Sequence, residues 1–160
     1  MKRCKHSIEK FLFSFIIVFF AAFIGESFTS VGVMSEWYKS VKPGIAPPDH
    51  VFPVVWTILY VLIALSLYFA WTKESHLSGS SLLKLFGANL ILNASWSIFF
   101  FGLKNPLASL VTLIVLWVSI ISLIILTYRI NKTSSYLLIP YLLWVSFAGI
   151  LNLIVLGNLS

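Results

Sequence analysis

Five apolar stretches of transmembrane length dominate the chain and leave it little choice of fold. They run over residues 11–32, 51–71, 82–103, 106–128 and 136–157. A bilayer core about 30 Å thick takes about 20 residues of helix to cross. Backbone polar groups in lipid must be satisfied within their own segment, so long runs free of alternation read as helices. Only Glu26 and Lys84 among the charged residues fall inside these windows, and Lys84 is near enough to an end to snorkel. The expected fold is an all-α integral membrane protein, a single transmembrane domain over residues 1–160 with five helices in one bundle. Composition points the same way. Hydrophobic residues make up 59% and charged residues 10%, against about half and a quarter in a soluble domain. Eleven Lys and Arg with five Asp and Glu could not cover the surface of a soluble body this size. A cytosolic enzyme, a disordered tail and a secreted disulfide scaffold are therefore excluded. The net charge of +6 does not signal nucleic acid, because the basic residues are scattered at segment ends and form no groove-sized patch. The single cysteine, Cys4, allows no intramolecular disulfide or multi-cysteine metal site and reads as an inert N-terminal thiol.

The connections carry topology. The N-terminus imitates a secretory signal, but no clean cleavage site follows the apolar run, so it is kept as the first helix. Lys2, Arg3, Lys5, Lys10, Lys73, Lys84, Arg129 and Lys132 fall on one side, against Lys39, Lys42 and Lys104 on the other. Basic loops face the cytoplasm. The expected location is the cell membrane, with the N-terminus cytoplasmic and the first loop and C-terminus on the opposite side. The turn Lys104-Asn105 ends at Pro106, which suits a helix N1 position and makes the third and fourth helices antiparallel neighbours. The loop between the first two helices, residues 33–50, is the only long connection. It mixes Trp37, Tyr38, Pro43, Gly44, Pro47 and Pro48, a stiff composition for which an amphipathic lid is the hypothesis, since long loops are often functional.

The chain has six Trp, six Tyr and fourteen Phe. Trp37, Trp71 and Tyr128 lie near segment ends and read as an interfacial belt. Trp96 and Trp144 lie mid-helix, where an indole N–H in hydrocarbon needs a partner. They suit either an internal pocket with a stacked flat ring or helix packing alone. Asn89 and Asn93 share a helix face with Ser97. These, with Asn152 and Ser146, either join helices by hydrogen bonds or orient a ligand. Glu26 is the only acid within a span and a functional candidate by default, although snorkelling is within its reach. Ala21, Gly25 and Thr29 form a small-residue ladder, and Ala108 with Thr112 a shorter one; both permit close helix approach within the bundle or in a dimer. No two of His6, His50 and His76 share a helix face, so neither a metal site nor axial haem ligation is expected. No Ser-His-acid or paired-carboxylate set is visible, which argues against a hydrolase.

At the first loop the sequence becomes recognisable. The run from Glu36 to Pro48, EWYKSVKPGIAPP, resembles the W-Y-x(3)-K-P-x-W-x-P-P loop of the TspO/MBR family. Pro53-Val54-Val55-Trp56 through Tyr60 resembles that family's P-V-W-x-x-L-Y segment. Asn93-Ala94-Ser95-Trp96 with Phe99-Phe100-Phe101-Gly102 resembles N-x-x-W…F-F-G, and Pro140 through Phe147 with Asn152 resembles P-Y-L-x-W-x-x-F…L-N. Together the fragments cover about residues 20–155. The resemblance implies a receptor or carrier for hydrophobic planar ligands, above all tetrapyrroles such as protoporphyrin IX, with no obligatory cofactor. It implies a pocket around Trp56, Asn93, Trp96, Phe100, Trp144, Phe147 and Ala148, closed from the first loop by Tyr38 and Pro47. It also implies a homodimer, with lipid bilayer and ligand as the other partners. A role in tetrapyrrole transport, breakdown or stress regulation goes with it, and porphyrin breakdown leaves enzyme activity open. The departures are Ile45 and Ala94 where Trp is usual, Thr112 where animal members have Asp, and Leu153 where their cholesterol motif has Tyr. Cholesterol recognition is accordingly not expected. The competing readings are a small transporter or export subunit for hydrophobic metabolites, which would want broken helices and coupling carboxylates, and a regulatory scaffold in the membrane.

Overall fold

A computed structural model describes residues 2–73 and 79–159, with side chains over 7–73 and 81–159. Lys2, Arg3, Cys4, Lys5, His6 and His76 therefore lie outside the described side chains. The described residues are helical throughout their ordered elements: α1 (Lys2–Gly32), α2 (Glu36–Val41), α3 (Val51–Lys73), α4 (Gly79–Ser97), a π-helical turn (Ile98–Gly102), α5 (Pro106–Ile130), α6 (Lys132–Leu137) and α7 (Ile139–Leu159). Among the described residues five helical stretches are long and apolar enough to cross a membrane: Ser7–Gly32, Val51–Lys73, Ser81–Gly102, Pro106–Ile130 and Lys132–Leu159. The five-span reading holds.

Its edges shift for local reasons. The fifth span begins at Lys132 rather than near 136, and is broken at Leu138, just ahead of Pro140. Proline lacks an N–H and its ring crowds the carbonyl four residues back, so α6 and α7 do not run on as one regular helix. Asn131 caps α6, its Oδ1 accepting from Thr133 N at 3.0 Å. Asn105 caps α5 in the same way, accepting from Ala108 N at 3.0 Å with Pro106 in the first turn. Lys104 before it takes a left-handed φ of 50°, which closes the tight turn and sets α4 and α5 antiparallel.

The helices pack α1 on α3 and α4, α5 on α4 and α7, and α6 on α3. The α3–α6 seam is a reciprocal pair: Ser66 Oγ donates to Ser134 O at 2.9 Å and Ser134 Oγ to Ser66 O at 2.7 Å. Lys10 Nζ donates to Trp71 O at 2.8 Å and lies 5.2 Å from that ring, tying α1 to the C-terminal end of α3. The small-residue ladder of α1 works inside the bundle: Thr29 Oγ1 is 3.2 Å from Ser97 Oγ, and a Cβ at Gly25 would stand 3.6 Å from Ala94 Cα. At the end of α1 a Cβ on Gly32 would overlap the Phe101 ring. Glycine is required there by close approach.

Candidate functional site

The first loop folds over one end of the bundle. Ser35 starts α2 as an N-cap, its Oγ accepting from Tyr38 N at 3.2 Å, which satisfies an otherwise orphan donor. The short helix turns Tyr38 and Val41 inward and leaves Lys39 and Ser40 exposed, so the amphipathic expectation for this loop holds. Lys42 Nζ then meets Asp49 at 2.6 Å and pins the far end of the loop.

Under this cover lies a cavity lined by Tyr38 and Pro43 from the loop and Phe52 from α3. Trp96 comes from α4, Phe100 and Phe101 from the π turn, and Ala148, Leu151, Asn152 and Val155 from α7. Its rings nearly fill it: the remaining space is about 20 Å³, room for about one water. Trp96 stacks on Phe100 at 5.6 Å and 19°, while Trp37 meets Phe100 edge-on at 5.6 Å and Tyr38 meets Phe101 at 5.5 Å. Aromatic faces this close can exchange partners for a flat ring, because stacked and edge-on contacts differ little in energy. Admitting a planar ligand requires Trp96, Phe100 and the loop to part.

Polar side chains fix the walls. Trp96 Nε1 donates to Asn152 Oδ1 at 3.3 Å; Ser109 Oγ approaches the same oxygen at 2.8 Å, and Asn152 Nδ2 donates to Pro106 O at 2.9 Å. The partner that a mid-helix indole needs is thus supplied by α7. A second chain runs across the core. Tyr60 OH donates to Asn93 Oδ1 at 2.8 Å, Asn93 Nδ2 to Tyr141 OH at 3.2 Å, Tyr141 OH to Asn89 Oδ1 at 3.2 Å, and Asn89 Nδ2 to Ser119 Oγ at 2.7 Å. Burial, aided by the Asp49 charge, pushes the Tyr38 hydroxyl up to about 12, so it is a neutral wall of the cavity at physiological pH.

Of the residues expected around the pocket, Tyr38, Trp96, Phe100 and Ala148 line the cavity. Pro47 does not; Pro43 is the loop proline that reaches it. Asn93 has both ends of its amide engaged by tyrosines, so it braces helices. Trp144 and Phe147 pair with each other at 5.7 Å, and Trp144 meets Phe52 at 5.9 Å, behind the cavity wall. Trp56 stands 6.5 Å from Trp96 and stacks on Tyr60 at 5.5 Å, separating the cavity from a groove on the α1 side. Trp37, read as an interfacial residue, sits against Phe100. Pro43, Phe52, Phe101, Leu151 and Val155 also line the cavity, although none of them is among the residues expected around it. Phe52 shares a face with Trp56 at i, i+4, which was a usable signal. Phe101 had only its place in the F-F-G fragment: it is brought inward beside Phe100 by the π turn, in which Leu103 N bonds Ile98 O at 2.8 Å, a geometry that ordinary helical periodicity does not anticipate.

The model of the TspO/MBR family matches residues 14–156 of the chain. The chain belongs to the TspO/MBR family. It is 42% identical over 147 residues to the tryptophan-rich protein TspO of Archaeoglobus fulgidus, covering 91% of this chain and 94% of the relative. It is 41% identical over 140 residues to the protein of the same name from Chlorobaculum tepidum, covering 84% and 85%. The translocator protein of Bos taurus is 30% identical over 133 residues, covering 81% and 78%. Membership and the five apolar helices together make this a multi-pass membrane protein. Among its departures from the TspO/MBR pattern, Ile45 and Leu153 are exposed, and Ala94 lies against Gly25 of α1. The residue that replaces a common tryptophan thus allows α1 and α4 to approach.

Proposed function

We propose that this TspO/MBR protein is a membrane receptor or carrier for hydrophobic planar ligands, most of all tetrapyrroles such as protoporphyrin IX. The observation that carries the reading is the layered aromatic cavity under the first loop: Trp96 and Phe100 stacked, Tyr38, Trp37 and Phe101 edge-on around them, and small Ala148 opposite. A flat macrocycle inserted between Trp96 and Phe100 exchanges one stacking contact for two. The apolar wall holds its body while the Lys42–Asp49 pair at 2.6 Å latches the loop. The name of the bovine relative, translocator protein, supports a transport-type role for the family fold. The polar groups among the residues that line the cavity are the neutral Tyr38 hydroxyl, the Trp96 indole N–H and the Asn152 amide, and binding is the activity to test first.

Titration of the purified protein with protoporphyrin IX, followed by Trp fluorescence, should give saturable quenching that Trp96→Leu weakens. Non-saturating quenching in the wild type overturns the reading. The same proposal puts the protein in the cell membrane with its N-terminus cytoplasmic and the first loop outside, on the basic-residue asymmetry. Labels at the two chain ends should react from opposite sides. The homodimer is a further proposal, tested by crosslinking in native membranes.

A further inference from the structure

Among the described residues Glu26 is the carboxylate set deepest within a span, 17 residues beyond Glu9 at the start of the first, and the aromatic cavity does not use it. It lies half-buried in α1, and among the described residues no hydrogen bond or ion pair reaches it. Two hollows meet at Glu26 and Pro53. One, of about 300 Å³, runs along the α1–α3 seam between Phe19, Phe23, Trp56 and Tyr60. The other, of about 290 Å³, opens toward the first loop past Ser30, Asp49 and His50. Asp49 is already neutralised by Lys42, which leaves Glu26 as the uncompensated charge at the junction. Thr57, on the rim, spends its hydroxyl proton on Pro53 O at 2.8 Å.

We propose that the α1–α3 furrow is a second binding site, for an amphipathic cation whose ammonium group pairs with Glu26 and whose apolar body lies along Phe19, Phe23 and Trp56. A carboxylate offers acceptors only, so it recognises donors and repels anions. A lone carboxylate between spans is expensive without a partner, and an ammonium removes that cost. One carboxylate is too few for a bare divalent ion, which takes six or more oxygens. The trough from Phe19 to Glu26 is about 10 Å long at 1.5 Å per helical residue, enough for a medium alkyl chain. The Trp56 ring adds a cation-attracting face.

The test uses the full chain in phosphatidylcholine nanodiscs and a brominated dodecylamine, with the chain-matched alcohol and carboxylate as controls, read by Trp quenching. In the wild type the amine should quench at concentrations roughly tenfold lower than the alcohol, the worth of one charge-assisted contact, and the carboxylate least of all. Glu26→Gln should erase the amine's advantage over the alcohol, a ratio from which bulk partitioning cancels. Thr57→Leu, which narrows the hollow and keeps the charge, should weaken the amine as well, so the proposal does not hang on one variant. Equal quenching by amine and alcohol in the wild type, or an advantage that survives Glu26→Gln, overturns it. Protoporphyrin titration of Glu26→Gln should match the wild type, which keeps this site separate from the aromatic cavity.

Discussion

Replacing Asn152 by leucine tests whether the cavity is held open to one geometry by hydrogen bonding or by packing alone. Leucine is of similar size, so the change removes polarity with little change in volume. Two interhelical bonds disappear outright, Trp96 Nε1 to Asn152 Oδ1 at 3.3 Å and Asn152 Nδ2 to Pro106 O at 2.9 Å, and a third, Ser109 Oγ to Asn152 Oδ1 at 2.8 Å, is given up for another acceptor. Ser109 is spared, because its hydroxyl also lies 2.9 Å from Pro106 O, an acceptor that the substitution vacates. Interhelical hydrogen bonds in bilayers average about 0.6 kcal/mol with a ceiling near 1.7, so two are worth about 1.2 kcal/mol and at most about 3.4. The Trp96 N–H, left in apolar surroundings, moves the expectation toward the upper half of that range. Unfolding in mixed micelles by SDS titration reads the loss, and a cycle with Trp96→Phe isolates the indole bond at roughly 0.6 kcal/mol. With its indole untethered, Trp96 should also release bound porphyrin faster. A loss under about 0.5 kcal/mol, with an unchanged release rate, would mean that Phe100 and the first loop orient Trp96 without help from α7.

Gly32→Ala drives a methyl into the Phe101 ring and should cost about 1–3 kcal/mol by overpacking. Gly87→Ala, where a Cβ meets open space, should gain about 0.5–1 kcal/mol from helix propensity; thermal melts in detergent compare the two. Pro43→Ala should raise the porphyrin off-rate in stopped-flow release more than Pro47→Ala, because only Pro43 lines the cavity. Equal effects would argue for a spacer rather than a lid. Tyr38 titrates near 12 in the folded chain against 10 in the unfolded one. The folded state therefore holds its proton more tightly, and the stabilisation present below pH 10 is lost as pH rises toward 12. Alkaline unfolding monitored by circular dichroism should show that slope in the wild type and lose it in Tyr38→Phe.

The number and approximate place of the spans were legible because the bilayer sets helix length and forbids an unpaired backbone, a condition that runs of apolar residues meet or fail locally; their exact ends, the fifth span's start at Lys132 above all, were not. The α4–α5 turn was legible too, since the fixed φ of Pro106 suits the first position of a helix; the Asn105 cap ahead of it came from the structure. The polar face Asn89, Asn93 and Ser97 was correctly marked as shared, and all three are buried. What the chain alone left open was which apolar surface faces inward. Lipid is as apolar as leucine, so Phe20, Phe23 and Ile91 can stay exposed while Phe86, Phe100 and Phe101 are buried, and hydrophobicity does not separate the two sets. Only the assembled bundle decided that Pro43 rather than Pro47 reaches the cavity and that Asn93 is occupied by two tyrosines. It alone turned Phe101 inward through the π turn and left Glu26 unpaired in a furrow. Each of these depends on contacts between residues dozens of positions apart, where packing and hydrogen-bond partners, not local pattern, fix the outcome.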